Sequence, residues 1–218
     1  VTTNAMVTRI EFEGTRATGV RYVHNGGEHV AQARLSVIVC AGALQTPQLL
    51  QVSGVGPSQL LRAHDIPVVA DREQVGENLQ DHLLIRLIYK CKQPITTNDD
   101  LRSPLAKLKT GLKWLLFRRG PMAVGVMMGG VITKVMPDAK TPDVQYFIST
   151  VSAEERGKEP HSFSGFTVSL YPMRPGSRGH VRIKSPDPAI APAIQPNYLS
   201  SNYDRSMLIA GAKMARAL

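Results

Sequence analysis

Six histidines, two cysteines and a few well-placed serines are the residues from which this 218-residue chain could build chemistry. His24, His29, His64, His82, His161 and His180 include no pair four residues apart, and neither Cys40 nor Cys91 has a Cys-x-x-Cys partner. That spacing argues against a zinc site. Ser53, in Ser53-Gly54-Val55-Gly56, invites reading as a nucleophile, but the hydrolase elbow requires a glycine two residues earlier and Gln51 stands there. Asp81-His82 invites reading as an acid–base pair. Neighbours on extended backbone point to opposite sides, so turn hydrogen bonds are the favoured reading. No Gly-x-Gly-x-x-Gly and no phosphate-loop lysine motif occurs, so the chain carries no dinucleotide fingerprint of its own.

Composition sets the frame for these residues. At 43% hydrophobic and 20% charged, the chain is ordinary globular protein, long enough for one domain or a little more. Its 18 glycines and 15 prolines argue against a helical bundle. Two cysteines fit a reducing, cytoplasmic setting better than a disulfide scaffold. The net charge of +9 admits nucleic acid, an anionic membrane or an acidic cofactor as partner. With aromatics at 6%, stacking platforms for nucleic acid are scarce, and none is expected to bind. No apolar run reaches the roughly 18 residues of a membrane span.

The elements that must position a site follow from periodicity. Residues 7–33 read as a three-stranded meander turning at Asn25-Gly26. Leu35 to Ala41 is a nearly continuous apolar run, the pattern of a strand buried on both faces. After Gly42, Thr46 and Pro47 suit the start of a helix that Gly54 ends, and Ile66–Val69 returns as a strand. Residues 76–82 mark a boundary. Beyond it come a strand at 83–90, a loop at 97–100, and a basic helix whose Leu101, Leu105, Leu108, Leu112 and Leu115 recur at helical spacing. Strands are expected at 144–150, 165–171 and 180–183, and a helix from Asp204 to Leu218. The fold class is α+β.

The most specific pattern is Gly42-Ala43-x-x-Thr46-Pro47-x-Leu49-Leu50-x-x-Ser53-Gly54-Val55-Gly56, supported by Phe12-Glu13-Gly14-Thr15-Arg16-Ala17-x-Gly19-Val20 and Val75-Gly76-Glu77-Asn78-Leu79-Gln80-Asp81-His82. It resembles the second signature of the glucose–methanol–choline (GMC) flavoprotein oxidoreductases at every specified position. The resemblance runs from Val1 to Leu218 and is that of a central fragment, choline or alcohol dehydrogenase-like. It implies residues 1–78 as a partial Rossmann-like FAD-binding domain and 79–218 as an antiparallel-sheet substrate domain with helices on one face. It further implies hydride transfer from the CH–OH group of an alcohol to flavin N5. The family's dinucleotide motif is expected before Val1 and its catalytic histidine after Leu218, so the isolated piece is expected to be inactive and not to retain FAD. Val7 resembles the valine whose backbone meets the adenine; Cys40, Ala41 and Gly42 resemble the strand end beside the adenosine.

Choline-specific members carry a glutamate against the trimethylammonium group. Met127 falls at or near that position, beside Met128, and no acid occurs from Leu101 to Pro137. The expected substrate is an uncharged, fairly apolar alcohol held by soft methionine side chains, although methionines at such spacing are more often plain core. Seven basic residues share that acid-free stretch. They read either as peripheral attachment to the inner face of an anionic membrane or, more commonly, as a solvated helix face with the leucines turned inward. The competing class is a non-enzymatic binding module that retains the substrate-domain fold. Nothing in the sequence sets the oligomeric state.

Overall fold

A computed structural model of the protein describes residues 1–155 and 157–217. The elements begin with β1 (Ala5–Glu13), β2 (Arg16–His24), β3 (Gly27–Gln32), α1 (Gly42–Val52), β4 (Val55–Gly56), α2 (Ser58–Ala63), β5 (Ala70–Asp71) and β6 (Glu77–Leu79). There follow β7 (Ile85–Lys90), α3 (Thr97–Leu101), α4 (Pro104–Phe117), β8 (Met127–Thr133) and β9 (Val144–Ser149). β10 (Gly165–Pro172), β11 (Gly179–Arg182), β12 (Ala193–Gln195) and α5 (Asn202–Ala217) complete the order. Mixed helices and largely antiparallel sheets make this an α+β fold. The chain divides into two compact units: Val1–Asp81 with Ser177–Ser200, and His82–Gly176 with the segment from Ser201 onward. Residues 177–200 thus pack with the first unit, which a single cut after residue 78 does not provide for.

In the first unit, β1, β2 and β3 form the expected meander, with Val7 opposite Tyr22 and Ile10 opposite Val20. Asn25 and Gly26 both take positive φ (50° and 77°), the geometry that a two-residue hairpin turn demands. A second sheet runs β12-β11-β6. Between them, α1 and α2 bury Val52, Leu61 and Ile66 against Ile183. Helix α1 starts at Gly42, five residues earlier than an N-cap at Thr46 and a first helical residue at Pro47 suggest, and holds Pro47 inside it. Gly54 ends the helix region at φ 89°, where a Cβ would stand 2.5 Å from the Pro67 carbonyl oxygen. The return strand expected at 66–69 does not form; the pairing falls on the next two residues, Ala70 and Asp71, in parallel with β4.

One expectation fails outright. Residues 35–41 belong to no sheet; Leu35 is 94% and Ile38 82% exposed. A strand buried on both faces needs neighbours on both edges, and among the described residues no other strand lies beside this one.

The second unit is a four-stranded antiparallel sheet of order β7-β10-β9-β8, covered on one face by α5. Val144, Tyr146, Val168 and Leu170 from the sheet meet Met207, Leu208 and Ala215 of the helix. The last residue expected in that helix, Leu218, lies outside the described residues. Two local readings change here. Residues 97–100 are helix α3 and not a loop, because the Thr96 backbone N–H and hydroxyl both donate to Asp99 Oδ2, at 3.0 and 3.1 Å. Helix α4 forms as its spacing predicts, capped by Ser103 Oγ accepting from Ala106 N–H, but its leucines face outward.

Candidate functional site

The start of β1 and the N-terminus of α1 face each other across an open cleft of about 510 Å³ in the first unit. Asn4 to Val7 form one wall, Ala41, Gln45 and Gln48 the other, and Pro188 closes an end. Two of the candidate cofactor residues, Val7 and Ala41, therefore line one cavity. Gly42 stands directly after Ala41 at φ 81°, with nothing within 4 Å of the place a Cβ would occupy. Its bare backbone leaves the approach to α1 clear. Cys40 is exposed and does not line the cleft.

The helix end gives the cleft its electrostatics. No side chain caps α1 and its first turn contains no acid, so its unsatisfied N–H groups leave a partial positive charge facing outward. The wall is fixed, since Gln48 Nε2 donates to the carbonyls of Pro188 (3.1 Å) and Ile190 (2.9 Å). No charged side chain lines the cleft. Apolar surface, backbone edges and an open helix end suit a flat heterocycle with a polyhydroxylated or anionic tail, which the adenosine half of FAD provides. Gln45 and Gln48 were not singled out from the sequence. Their i+4 and i+7 spacing from Ala41 places all three on one helix face, and that periodicity is the signal that finds them.

The two motif segments also meet. Ala43, Thr46, Pro47 and Leu50 line a second cavity of the first unit, about 450 Å³, against residues 75–80 and Val181. Gly76 is required there: at φ 89°, a Cβ would stand 2.2 Å from the Val181 oxygen. Ser53, the one nucleophile candidate, is buried; its Oγ donates to Leu49 O (2.6 Å) and accepts from Ile10 N–H (2.9 Å). It pins β1 to the end of α1. Asp81 and His82 take separate partners, as their adjacency suggests. Asp81 accepts from the Tyr198 hydroxyl, whose pKa this bond raises. His82 stacks on Tyr171 at 4.4 Å between ring centroids and contacts the Met173 carbonyl.

In the second unit, Met127 and Met128 open edge strand β8, and both are about half exposed. Met128 lines a cavity of about 360 Å³ with Ile95, Val124, Val126 and Val151. Asp100, one residue outside the acid-free stretch, is also in its wall. A Ser–His–Glu arrangement that sequence order conceals lies nearby: Ser152 Oγ is 3.2 Å from His161 Nδ1, and His161 Nε2 is 3.4 Å from Glu154. Ser152 is fully buried and its Oγ accepts from Asn98 Nδ2, so no substrate reaches it.

Models of the GMC oxidoreductase family match residues 1–84 (the N-terminal model) and 175–218 (the C-terminal model). The oxygen-dependent choline dehydrogenase of Burkholderia pseudomallei is 40% identical over 204 residues, 94% of this chain and 36% of that protein. The mitochondrial choline dehydrogenase of Homo sapiens is 40% identical over 199 residues, 91% of this chain and 33% of that one. The chain thus spans little more than a third of the curated relatives it matches. Among solved structures, pyridoxine 4-oxidase from Mesorbium loti superposes at a TM-score of 0.78 with 25% identity, over 97% of this chain and 38% of that chain. A formate oxidase superposes at 0.85 with 23% identity, over 97% and 42%. With the N- and C-terminal models both matched in their own order, and the signature segments facing each other in one unit, the chain belongs to the GMC oxidoreductase family.

Proposed function

We propose that the protein is an FAD-dependent oxidoreductase acting on the CH–OH group of a small alcohol. Residues 1–78 serve its flavin domain and most of 79–218 its substrate domain. The observation that carries this reading is the cleft where Val7 and Ala41 face each other at the uncapped end of α1. There Val7, Ala41 and Gly42 offer backbone edges to the adenosine, Gln45 offers an amide, and Gln48 holds the wall. FAD, when bound, supplies the hydride acceptor; the alcohol carbon yields its hydrogen with two electrons and the hydroxyl yields its proton to a base.

An uncharged alcohol is supported by the apolar side chains of Ile95, Val124, Val126, Met128 and Val151 in their shared cavity and by the acid-free stretch from 101 to 137. Choline is the second reading, supported by the names of the relatives and by Asp100 in that cavity wall. The full-length protein is expected to show flavin absorbance bands that bleach anaerobically with substrate, and Ala41→Trp, which fills the cleft from an exposed position, to lose them with its fold intact. Colourless full-length protein would leave the non-enzymatic module in its place. A kcat/KM greater for choline than for aliphatic alcohols, and collapsing in Asp100→Asn, decides for the second reading.

A further inference from the structure

Helix α4 inverts the usual rule for a surface helix. Its one buried residue is Thr110, with Ala106, Gly111 and Trp114 partly covered, while Leu105, Leu108, Leu112, Leu116 and Phe117 are between 46% and 76% exposed. A soluble helix turns its apolar stripe to the core; this one turns Ala106, Thr110, Gly111 and Trp114 inward and presents its leucines to the outside. The exposed side chains line an open trough of about 790 Å³ together with Lys109, Lys113 and Arg119. Lys107 and Arg118 add charge nearby, Arg118 lying over the Trp114 ring at 4.4 Å.

We propose that α4 docks the protein in the plane of an anionic lipid surface, its leucines entering the acyl boundary and its lysines and arginines meeting the headgroups. Fourteen residues make a helix of roughly 21 Å, too short to cross a bilayer. An apolar face rimmed by flexible cations is the pattern of an interfacial helix, since lysine stems lie along apolar surface while their ammonium groups reach outward. Charge selects the occupant. The stretch from 101 to 137 holds seven basic residues and no acid, which complements a negative surface and sets cation against cation if a second copy pairs through the same face.

Vesicle sedimentation of the full-length protein tests this without reference to flavin, because it reads mass and not turnover. The protein is expected to sediment with vesicles of phosphatidylglycerol and phosphatidylcholine in equal parts at low salt, to be released at high salt, and to ignore pure phosphatidylcholine. Lys109→Gln/Lys113→Gln is expected to weaken partition about thirtyfold, some fivefold per lysine. Leu108→Glu/Leu112→Glu, at exposed positions, is expected to weaken it at least tenfold with unchanged circular dichroism. Failure of the full-length protein to sediment with anionic vesicles overturns the proposal and leaves the face to another segment of the protein. Sedimentation that the leucine variant does not weaken overturns it too. A concentration-dependent dimer abolished by that variant assigns the face to a second copy and likewise overturns it.

Discussion

The side-chain amide of Gln51 holds Val181 from 130 residues away: Nε2 donates to the Val181 carbonyl at 3.0 Å. The same amide donates to Val75 O (3.1 Å), and Oε1 accepts the Ile183 N–H (2.9 Å). Gln51 is fully buried, so each of these bonds replaces water that cannot enter. Gln51→Leu keeps much of the volume and strands three backbone groups. It is expected to cost about 3 kcal/mol or more in urea unfolding of the first unit. A loss under 1 kcal/mol would show that the three groups find other partners.

Ser53 joins two elements from a buried position. Ser53→Ala removes one bond donated to Leu49 O and one accepted from Ile10 N–H. The expected loss is about 1–2 kcal/mol of stability; on the proposed oxidoreductase reading, turnover per bound flavin of the full-length protein is expected to stay unchanged. Abolished turnover in a folded, flavin-loaded variant would contradict the structural role.

Asp99 titrates below the usual carboxylate range. Burial works against this, but is outweighed by hydrogen bonds from Ser164 and from the Thr96 backbone and hydroxyl, with Arg102 adding its charge. A carboxyl whose folded pKa is depressed contributes stability that is complete above its unfolded value, about 4, and is lost as pH falls through the lower folded value. Asp99→Asn is therefore expected to destabilise the second unit by about 1 kcal/mol at pH 7. The gap between variant and parent should narrow below pH 4. A gap that widens on acidification would reverse the sign of the argument.

Gly211 sits inside α5, where alanine is normally better by about 1 kcal/mol. Here a Cβ would stand 2.7 Å from Leu170 Cδ1 and 3.5 Å from the Tyr146 hydroxyl. Leu170 and Tyr146 are buried core, and Tyr146 donates to the Gly211 carbonyl at 3.0 Å. Overpacking of this kind costs about 1–3 kcal/mol, so Gly211→Ala is expected to lower Tm by a few degrees. A raised Tm would show that Leu170 turns aside freely.

What the sequence revealed follows from the range of the forces involved. The Asn25-Gly26 turn, the stop at Gly54 and the spacing of α5 are local matters of φ and periodicity, and they read directly. Thr96 and Asp99 were equally local: a threonine followed three residues later by an acid announces a helix start, yet the surrounding Asn and Asp residues suggested a loop. Leu35–Ala41 and α4 misled for a different reason. Apolar character states that a surface is to be covered but not by what, and in neither place do the described residues supply the cover. For the cleft between β1 and α1, motif resemblance pointed to Val7 and Ala41 in its walls and to Gly42 beside it. Gln45 and Gln48 emerged only once the turn of α1 placed them beside Ala41.

The bare segment at Leu35–Ala41 carries a practical hazard. Seven residues without a charge or a proline, rich in β-branched side chains, offer their amide edges to any identical segment that drifts near, the recipe for stacked fibrils. Preparations of these 218 residues should turn cloudy with concentration, and a lysine at Ile38 should keep them clear.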